Sequence, residues 1–233
     1  MKHKRAKTIS RTAALLFSTC LARAQVGLVF LPGCLVAQEN ASLSGAGALT
    51  RLMEGNKRFA DRKAQHPDQS VARLREIEPA QHPFAVVLSC SDSRVSPEVV
   101  FDQGLGDLFV IRVAGNVTDD AVVGSVEYAV EHLKTPLVVV LGHQGCGAVQ
   151  AAVSASQEAN HTHSFVDAIK PLVEEAKSQP GDAVDNCVRL NVTHVVKQLQ
   201  ASQPVLAELT QKSKLRIVGA YYSLHTGAVT LLP

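Results

Sequence analysis

Four runs, Phe84–Leu88 and Leu137–Leu141 wholly apolar and Leu108–Val113 and Leu215–Ala220 apolar but for one arginine each, set the tightest limit on how this chain can fold. A strand with one wet face alternates apolar and polar residues. Strands apolar on both faces need helices on both sides of their sheet, the arrangement of mostly parallel sheets. Helical patterns separate the runs: Val122 to Leu133 after the turn-prone Thr118-Asp119-Asp120, then Ala148 to Ser156, Phe165 to Lys177 and Val184 to Gln200. This alternation predicts an α/β fold with right-handed crossovers and a mostly parallel central sheet flanked by helices. Ahead of the sheet, Leu49, Leu52, Met53 and Phe59 recur at helical spacing and predict an amphipathic helix over Gly47–Lys63. The polar stretch Gln65–Gln81, beside the pairs His66-Pro67 and His82-Pro83, reads as a linking arm.

With 233 residues and 46% hydrophobic content, the chain suffices for one well-buried domain, placed at 47–233. The formal charge of +2 conceals an asymmetry, because six basic residues precede position 25 and no acid accompanies them. Without Lys2, Lys4, Arg5, Lys7, Arg11 and Arg23 the balance is 17 basic against 21 acidic residues, a net of −4. That leaves no broad electrostatic footprint for nucleic acid.

The same basic start, an apolar stretch from Thr12 to Leu21 and the small-residue site Ala22-Arg23-Ala24 form an export signal over 1–24. The protein is therefore expected to be exported, most simply to a periplasm, with 25–46 a flexible segment. Other ends for the signal are Ala37 and a lipoprotein-like box at Leu31-Pro32-Gly33-Cys34. An unprocessed extension would leave the protein cytoplasmic. Neither the Thr12 to Leu21 stretch nor a second one, Val26 to Leu31, reaches the roughly 20 residues of a spanning helix, so no integral membrane span is expected. Five cysteines in a chain of this size make no disulfide framework, and Cys20 and Cys34 fall in the signal region.

Cys90, Asp92 and Arg94 follow the first apolar run, and His143 and Cys146 close the third around a glycine turn. Functional groups of open parallel sheets gather where strands end. Two thiolates and one imidazole are the three protein ligands typical of a catalytic zinc site that keeps a fourth position for water. Two thiolates also cancel the metal's formal charge, so a compensating group is needed. Asp92 is placed to orient a metal-bound water or to displace it as a fourth ligand. Arg94 offers a bidentate clamp that holds Asp92 ionised and away from the metal.

These residues identify a family. Cys90-Ser91-Asp92-Ser93-Arg94, Phe109-Val110-Ile111-Arg112 with Gly115-Asn116, Glu127-Tyr128-Ala129-Val130 and Gly142-His143-Gln144-Gly145-Cys146-Gly147 make the chain resemble the plant-like, open-site β-class carbonic anhydrases over Gly47 to Leu232. The resemblance implies one Zn²⁺ per subunit on Cys90, His143 and Cys146, with Asp92 and Arg94 as catalytic dyad and Asp92 a fourth ligand in a closed form at lower pH. It implies reversible hydration of carbon dioxide to bicarbonate, and a pocket completed across subunits of a homodimer or homotetramer. Gln81, Phe109 and Tyr128 map to substrate-binding positions, Gln81 reaching bicarbonate from the neighbouring subunit. Ala114 stands where plant-like members often carry valine, which implies a wider cavity. Members with an inhibitory bicarbonate site off the metal carry a tryptophan where this chain has Val87, so that inhibition is not expected.

Other readings use the same residues. A non-catalytic zinc-stabilised module would close the site with Asp92, and the same scaffold serves hydrolysis of carbon disulfide in some relatives. A Cys-dependent phosphatase would need a longer phosphate-cradling loop than Cys90 to Arg94. Cys187 lies in a helical pattern without a partner motif and reads as core, and His161-Thr162-His163 reads as a solvated loop.

Overall fold

The structure, a computed structural model, describes residues 43–154 and 161–233. The expected export signal, with its alternative ends, and the expected flexible segment as far as residue 42 lie outside the described residues. Helix α1 runs Gly45–Ala60, started by Ser44, whose hydroxyl accepts from the Gly47 amide at 3.1 Å. It begins two residues ahead of the expected start and buries Ala48, Leu49 and Leu52, one face at helical spacing.

Strands β1 (Ala85–Ser89), β2 (Leu108–Arg112), β3 (Leu137–His143), β4 (Arg216–Tyr222) and β5 (Val229–Leu231) form one sheet in the order β2-β1-β3-β4-β5. The first four are parallel and β5 is antiparallel to β4. Every residue of β1 and β3, the two strands at the centre of the parallel part, is buried. Successive side chains along a strand face opposite sides, and the core divides accordingly. Ala85, Val87, Leu137, Val139 and Leu141 pack on one face with Ala48, Leu49 and Leu52 of α1. Val86, Leu88, Val138 and Val140 pack on the other, against α4 (Asp120–Glu131), α8 (Ala183–Ala201) and α9 (Val205–Gln211). A third cluster, with Cys90, Cys146, Ile169, Cys187 and Tyr221, lies toward the carboxyl ends of the strands.

Three departures from the sequence pattern have physical causes. The arm after α1 contains a helix, α2 (Val71–Ile77), capped by Ser70. Its Val71 and Leu74 are 65% and 51% exposed while Arg73 is the buried residue, so no apolar face announces it. Arg73 is held inward by the Leu105 carbonyl at 2.9 Å and by the buried Asp107. The helix expected over Phe165–Lys177 is α6 (His163–Ile169) and α7 (Val173–Ser178), joined by a 3₁₀ turn at Lys170–Leu172. Pro171 lacks the amide that a continuous helix requires. The short α3 (Pro97–Val100), α9 and β5 gave no pattern because four, seven and three residues are too few to establish a period. The remaining helix, α5 (Gly147–Val153), starts directly after Cys146. Among the described residues no helix is long and apolar enough to cross a membrane.

Candidate metal centre

The sheet order creates the site. From β1 the chain moves to the edge strand β2 and then crosses back to β3 on the other side of β1, so the strand order reverses between β1 and β3. Ligands of open α/β sheets sit in the crevice beyond the carboxyl ends of the strands at such a reversal. Cys90 is the first residue beyond β1 and His143 is the last of β3, and the register pairs Ser89 with Leu141. Two residues 53 positions apart thus emerge side by side. The turn through Gly145, with φ +61°, then returns Cys146 to the same point at the start of α5.

The donor atoms of Cys90, His143 and Cys146 all lie within 4.8 Å of one another, and all three residues are buried. The two sulfurs are 3.9 Å apart. A tetrahedral zinc with Zn–S of about 2.3 Å would set two sulfurs about 3.8 Å apart. His143 Nδ1 lies 3.0 Å from the Gln144 carbonyl, which fixes the tautomer, while the buried Nε2 has no hydrogen-bond partner. A buried ring nitrogen left with a free lone pair is what a metal ligand requires. Cys90 is held well below the usual thiol range, chiefly by the hydrogen bond from Cys146, and against burial also by the neighbouring His143 ring and the amides of Gly115 and Asp92. Cys146 is pushed up, chiefly by Cys90 and then by burial. Thiols bind metal as thiolates, so a divalent cation held by both sulfurs would displace thiol protons on binding. The residues present fit a zinc ion.

Asp92 lies beside these donors, its Oδ2 3.9 Å from His143 Nε2. Arg94 engages both carboxylate oxygens, Nε to Oδ1 at 2.9 Å and Nη2 to Oδ2 at 2.6 Å, and its backbone amide donates to Oδ1 at 2.9 Å. The Arg94 hydrogen bonds hold the Asp92 carboxyl well below the usual carboxylate range. This is the open arrangement, with the carboxylate kept on the arginine.

Several supports had no role in the sequence reading. Arg112, at the end of β2, donates from Nε to the Cys90 carbonyl at 3.1 Å and from Nη2 to the Asp92 carbonyl at 2.6 Å. The Gly115 amide donates to Cys90 Sγ at 3.4 Å, and Asn191 of α8 holds the Gly115 carbonyl at 2.8 Å. Gly115 has φ +69°, and a Cβ there would come within 2.8 Å of Ile169 Cδ1, so only glycine brings this amide to the sulfur. Arg112 and Gly115 both stand in motifs that signalled the family, but carbonyl and amide contacts leave no mark in residue types.

A cleft of ≈ 370 Å³ opens at the donors, lined by Cys90, Ser91, Asp92, Ala114, Gly147, Ala148, Ala151, Thr162 and Phe165. Its walls are small or apolar apart from the Ser91–Asp92 side and Thr162. Gln81, Phe109 and Tyr128 do not line it. Gln81 and Tyr128 line a separate cleft of ≈ 820 Å³ with His82 and His132, and the Phe109 ring lies 6.2 Å from that of Tyr128. A single chain therefore unites the three metal donors with Asp92 and Arg94, and leaves the three expected substrate-pocket residues on another surface.

A mostly parallel sheet with a Cys₂His donor set at its strand-order reversal defines an α/β protein with a candidate metal centre. The family model described as carbonic anhydrase matches residues 85–229. A carbonic anhydrase of Mycolicibacterium smegmatis is 43% identical over 184 residues, covering 77% of this chain and 89% of that protein. Among solved structures, a Coccomyxa β-carbonic anhydrase in complex with acetazolamide is 30% identical with a TM-score of 0.63, covering 79% of this chain and 86% of that one. One of two tetrameric β-carbonic anhydrases from Sordaria macrospora is 25% identical with a TM-score of 0.64, covering 79% and 96%. The chain belongs to the carbonic anhydrase family, in its β class, and its reaction is the reversible hydration of carbon dioxide to bicarbonate and a proton.

Proposed function

We propose that hydration takes place on one zinc ion per chain held by Cys90 Sγ, His143 Nε2 and Cys146 Sγ, with Asp92 and Arg94 as the catalytic pair. The observation that carries this reading is the buried, unpartnered His143 Nε2 facing two thiols beside a carboxylate tied to an arginine. When bound, zinc supplies a Lewis acid that lowers the pKa of a coordinated water to about 7. Asp92, ionised at neutral pH, would accept a hydrogen bond from the attacking hydroxyl and so turn its lone pair toward the cleft. Arg94 keeps the carboxylate ionised and off the metal. The side chains of Ala114, Ala148, Ala151 and Phe165 form an apolar wall suited to carbon dioxide. Arg94's hold on both Asp92 oxygens leaves three donors at the metal, which favours a catalytic site over a closed structural one.

A homodimer, or a homotetramer like the tetrameric Sordaria proteins, would supply the missing side of the pocket. Among the described residues the edge strand β2 has no strand partner on its outer side, and Tyr128 beside it is 47% exposed. Gln81, Phe109 and Tyr128 would then meet the cleft of a partner. Export to a periplasm is supported by the basic start, apolar stretch and Ala22-Arg23-Ala24 of the first 24 residues. Metal analysis with stopped-flow carbon dioxide hydration tests the central reading. One zinc per chain and a loss of about 100-fold in kcat/KM for Asp92→Asn are expected, and a fully active variant would refute the role of Asp92. Carbon disulfide, run as a parallel substrate, tests the alternative activity.

A further inference from the structure

The direction of the His143 ring depends on one peptide carbonyl, that of Gln144, which accepts from Nδ1. Little in the local chain fixes that carbonyl. Gly145 follows it with φ +61°, and a Cβ placed on Gly145 or on Gly147 would meet nothing within 4 Å. A peptide flanked by such a glycine turns easily, so its orientation must come from tethers.

Gln144 has them on both backbone and side chain. Its amide donates to the Tyr222 carbonyl at 2.9 Å, carrying the β3–β4 pairing one residue past the strand end. Its side-chain Oε1 accepts from the Ser223 hydroxyl at 3.3 Å and from the His225 amide at 3.2 Å. The turn that provides these donors is itself fixed. Ser223 and Ala228 pair across it at 2.9 Å, and Asn56 of α1 holds the Gly227 carbonyl at 2.9 Å and the Val229 amide at 2.8 Å. A Cβ on Gly227 would come within 3.1 Å of the Phe59 ring, so the turn lies directly on α1.

We infer that Gln144 is a positioning residue for the metal-binding imidazole: its side chain ties the residue that presents the Gln144–Gly145 carbonyl to the turn at 223–228, and through Asn56 to helix α1. The inference rests on the reading of His143 as a zinc ligand. Partners that orient a ligating histidine typically contribute 10- to 100-fold to metal affinity. The tether acts from an exposed side chain, so its removal spares the core.

The experiment compares full-length wild-type protein with Gln144→Met, which keeps the length and loses the acceptor, Gln144→Glu, which keeps an acceptor oxygen, and Ser223→Ala, which removes one donor. Zinc affinity is read by chelator competition, and protection of the His225 amide by hydrogen exchange. Gln144→Met is expected to bind zinc about tenfold more weakly and to lose protection at His225. Gln144→Glu is expected to restore both, and Ser223→Ala to fall between. Zinc affinity within twofold of wild type in Gln144→Met overturns the inference, as does an equal loss in Gln144→Glu. Wild-type protein that takes up no zinc would refute the proposed metal centre instead, while the exchange arm would still report whether the tether exists.

Discussion

Replacing Arg112 by methionine tests whether the loop carrying Cys90 and Asp92 is held in shape from β2. The guanidinium bridges two carbonyls, Cys90 at 3.1 Å and Asp92 at 2.6 Å, so it spans the turn between a metal donor and the catalytic carboxylate. Hydrogen bonds from charged donors contribute about 1.5–3 kcal/mol each. Arg112 is exposed, so solvent screening reduces the pair to about 1–2 kcal/mol. Methionine fills the space of the aliphatic stem but leaves both carbonyls to water. If that energy holds the loop in its reactive geometry, kcat/KM should fall by about 5- to 30-fold. The thermal midpoint should move by only a few degrees, because no core contact is lost. Lysine reaches one carbonyl at a time and lacks the planar fork, so Arg112→Lys should lie between wild type and Arg112→Met. Stopped-flow hydration at saturating zinc, with zinc content measured on the same samples, checks this. Arg112→Met with kcat/KM within twofold of wild type at full zinc occupancy would show that the loop keeps its shape without the bridge.

Arg94→Ala removes the clamp on Asp92; the carboxyl pKa should rise toward its ordinary value. Activity should fall about 100-fold with zinc retained, and an extended X-ray absorption spectrum should show an added oxygen ligand; an active enzyme with unchanged coordination would contradict the clamp. The fold depresses the Asp92 pKa, so the pair's stabilisation is present above the unfolded value of about 3.9 and is lost as pH falls through the lower folded value. Urea titrations of wild type and Arg94→Ala should therefore converge only in strong acid. Burial pushes Cys187 up to about 11. Its thiol should resist alkylation at pH 8 in the native protein and react in urea, read by peptide mass mapping; rapid native labelling would place it at the surface. Asn56→Ala strips partners from the Val100 and Gly227 carbonyls and the Val229 amide, all buried interactions. It should cost about 3–5 kcal/mol in urea unfolding, and a cost below about 1 kcal/mol would contradict that accounting. Val87 is fully buried in the core, where inhibited relatives are expected to carry tryptophan, so rate against bicarbonate concentration should show no sigmoidal inhibition.

Much of this site was legible because its chemistry requires particular residue types. Sulfur and imidazole cannot be replaced freely at a zinc centre, and their placement after apolar runs put them at the carboxyl ends of β1 and β3. Asp92 and Arg94 stand out because two thiolates cancel the charge of a divalent metal and leave a need for a compensating carboxylate and its partner. The four parallel strands were legible for a related reason, since their largely apolar runs reflect burial on both faces, complete in β1 and β3 and partial in β2 and β4. By contrast α2 hides its only buried residue in an arginine, and its visible leucine and valine point outward.

The rest of the site was illegible because it is made by backbone groups. The Cys90 and Asp92 carbonyls, the Gly115 amide and the Gln144 carbonyl exist at every position of every chain, and only the fold decides which of them face a metal donor. That division has a consequence for where substitutions act. Changing Cys90, His143 or Cys146 removes a donor, whereas changing Arg112, Asn191 or Gln144 leaves every donor in place and alters only its aim. Zinc occupancy should therefore report the first group at any metal concentration, but the second only near the dissociation constant. Saturating metal would hide Gln144 while leaving the Arg112 defect visible, because Arg112 also holds the carbonyl of Asp92, which binds no metal in the open arrangement.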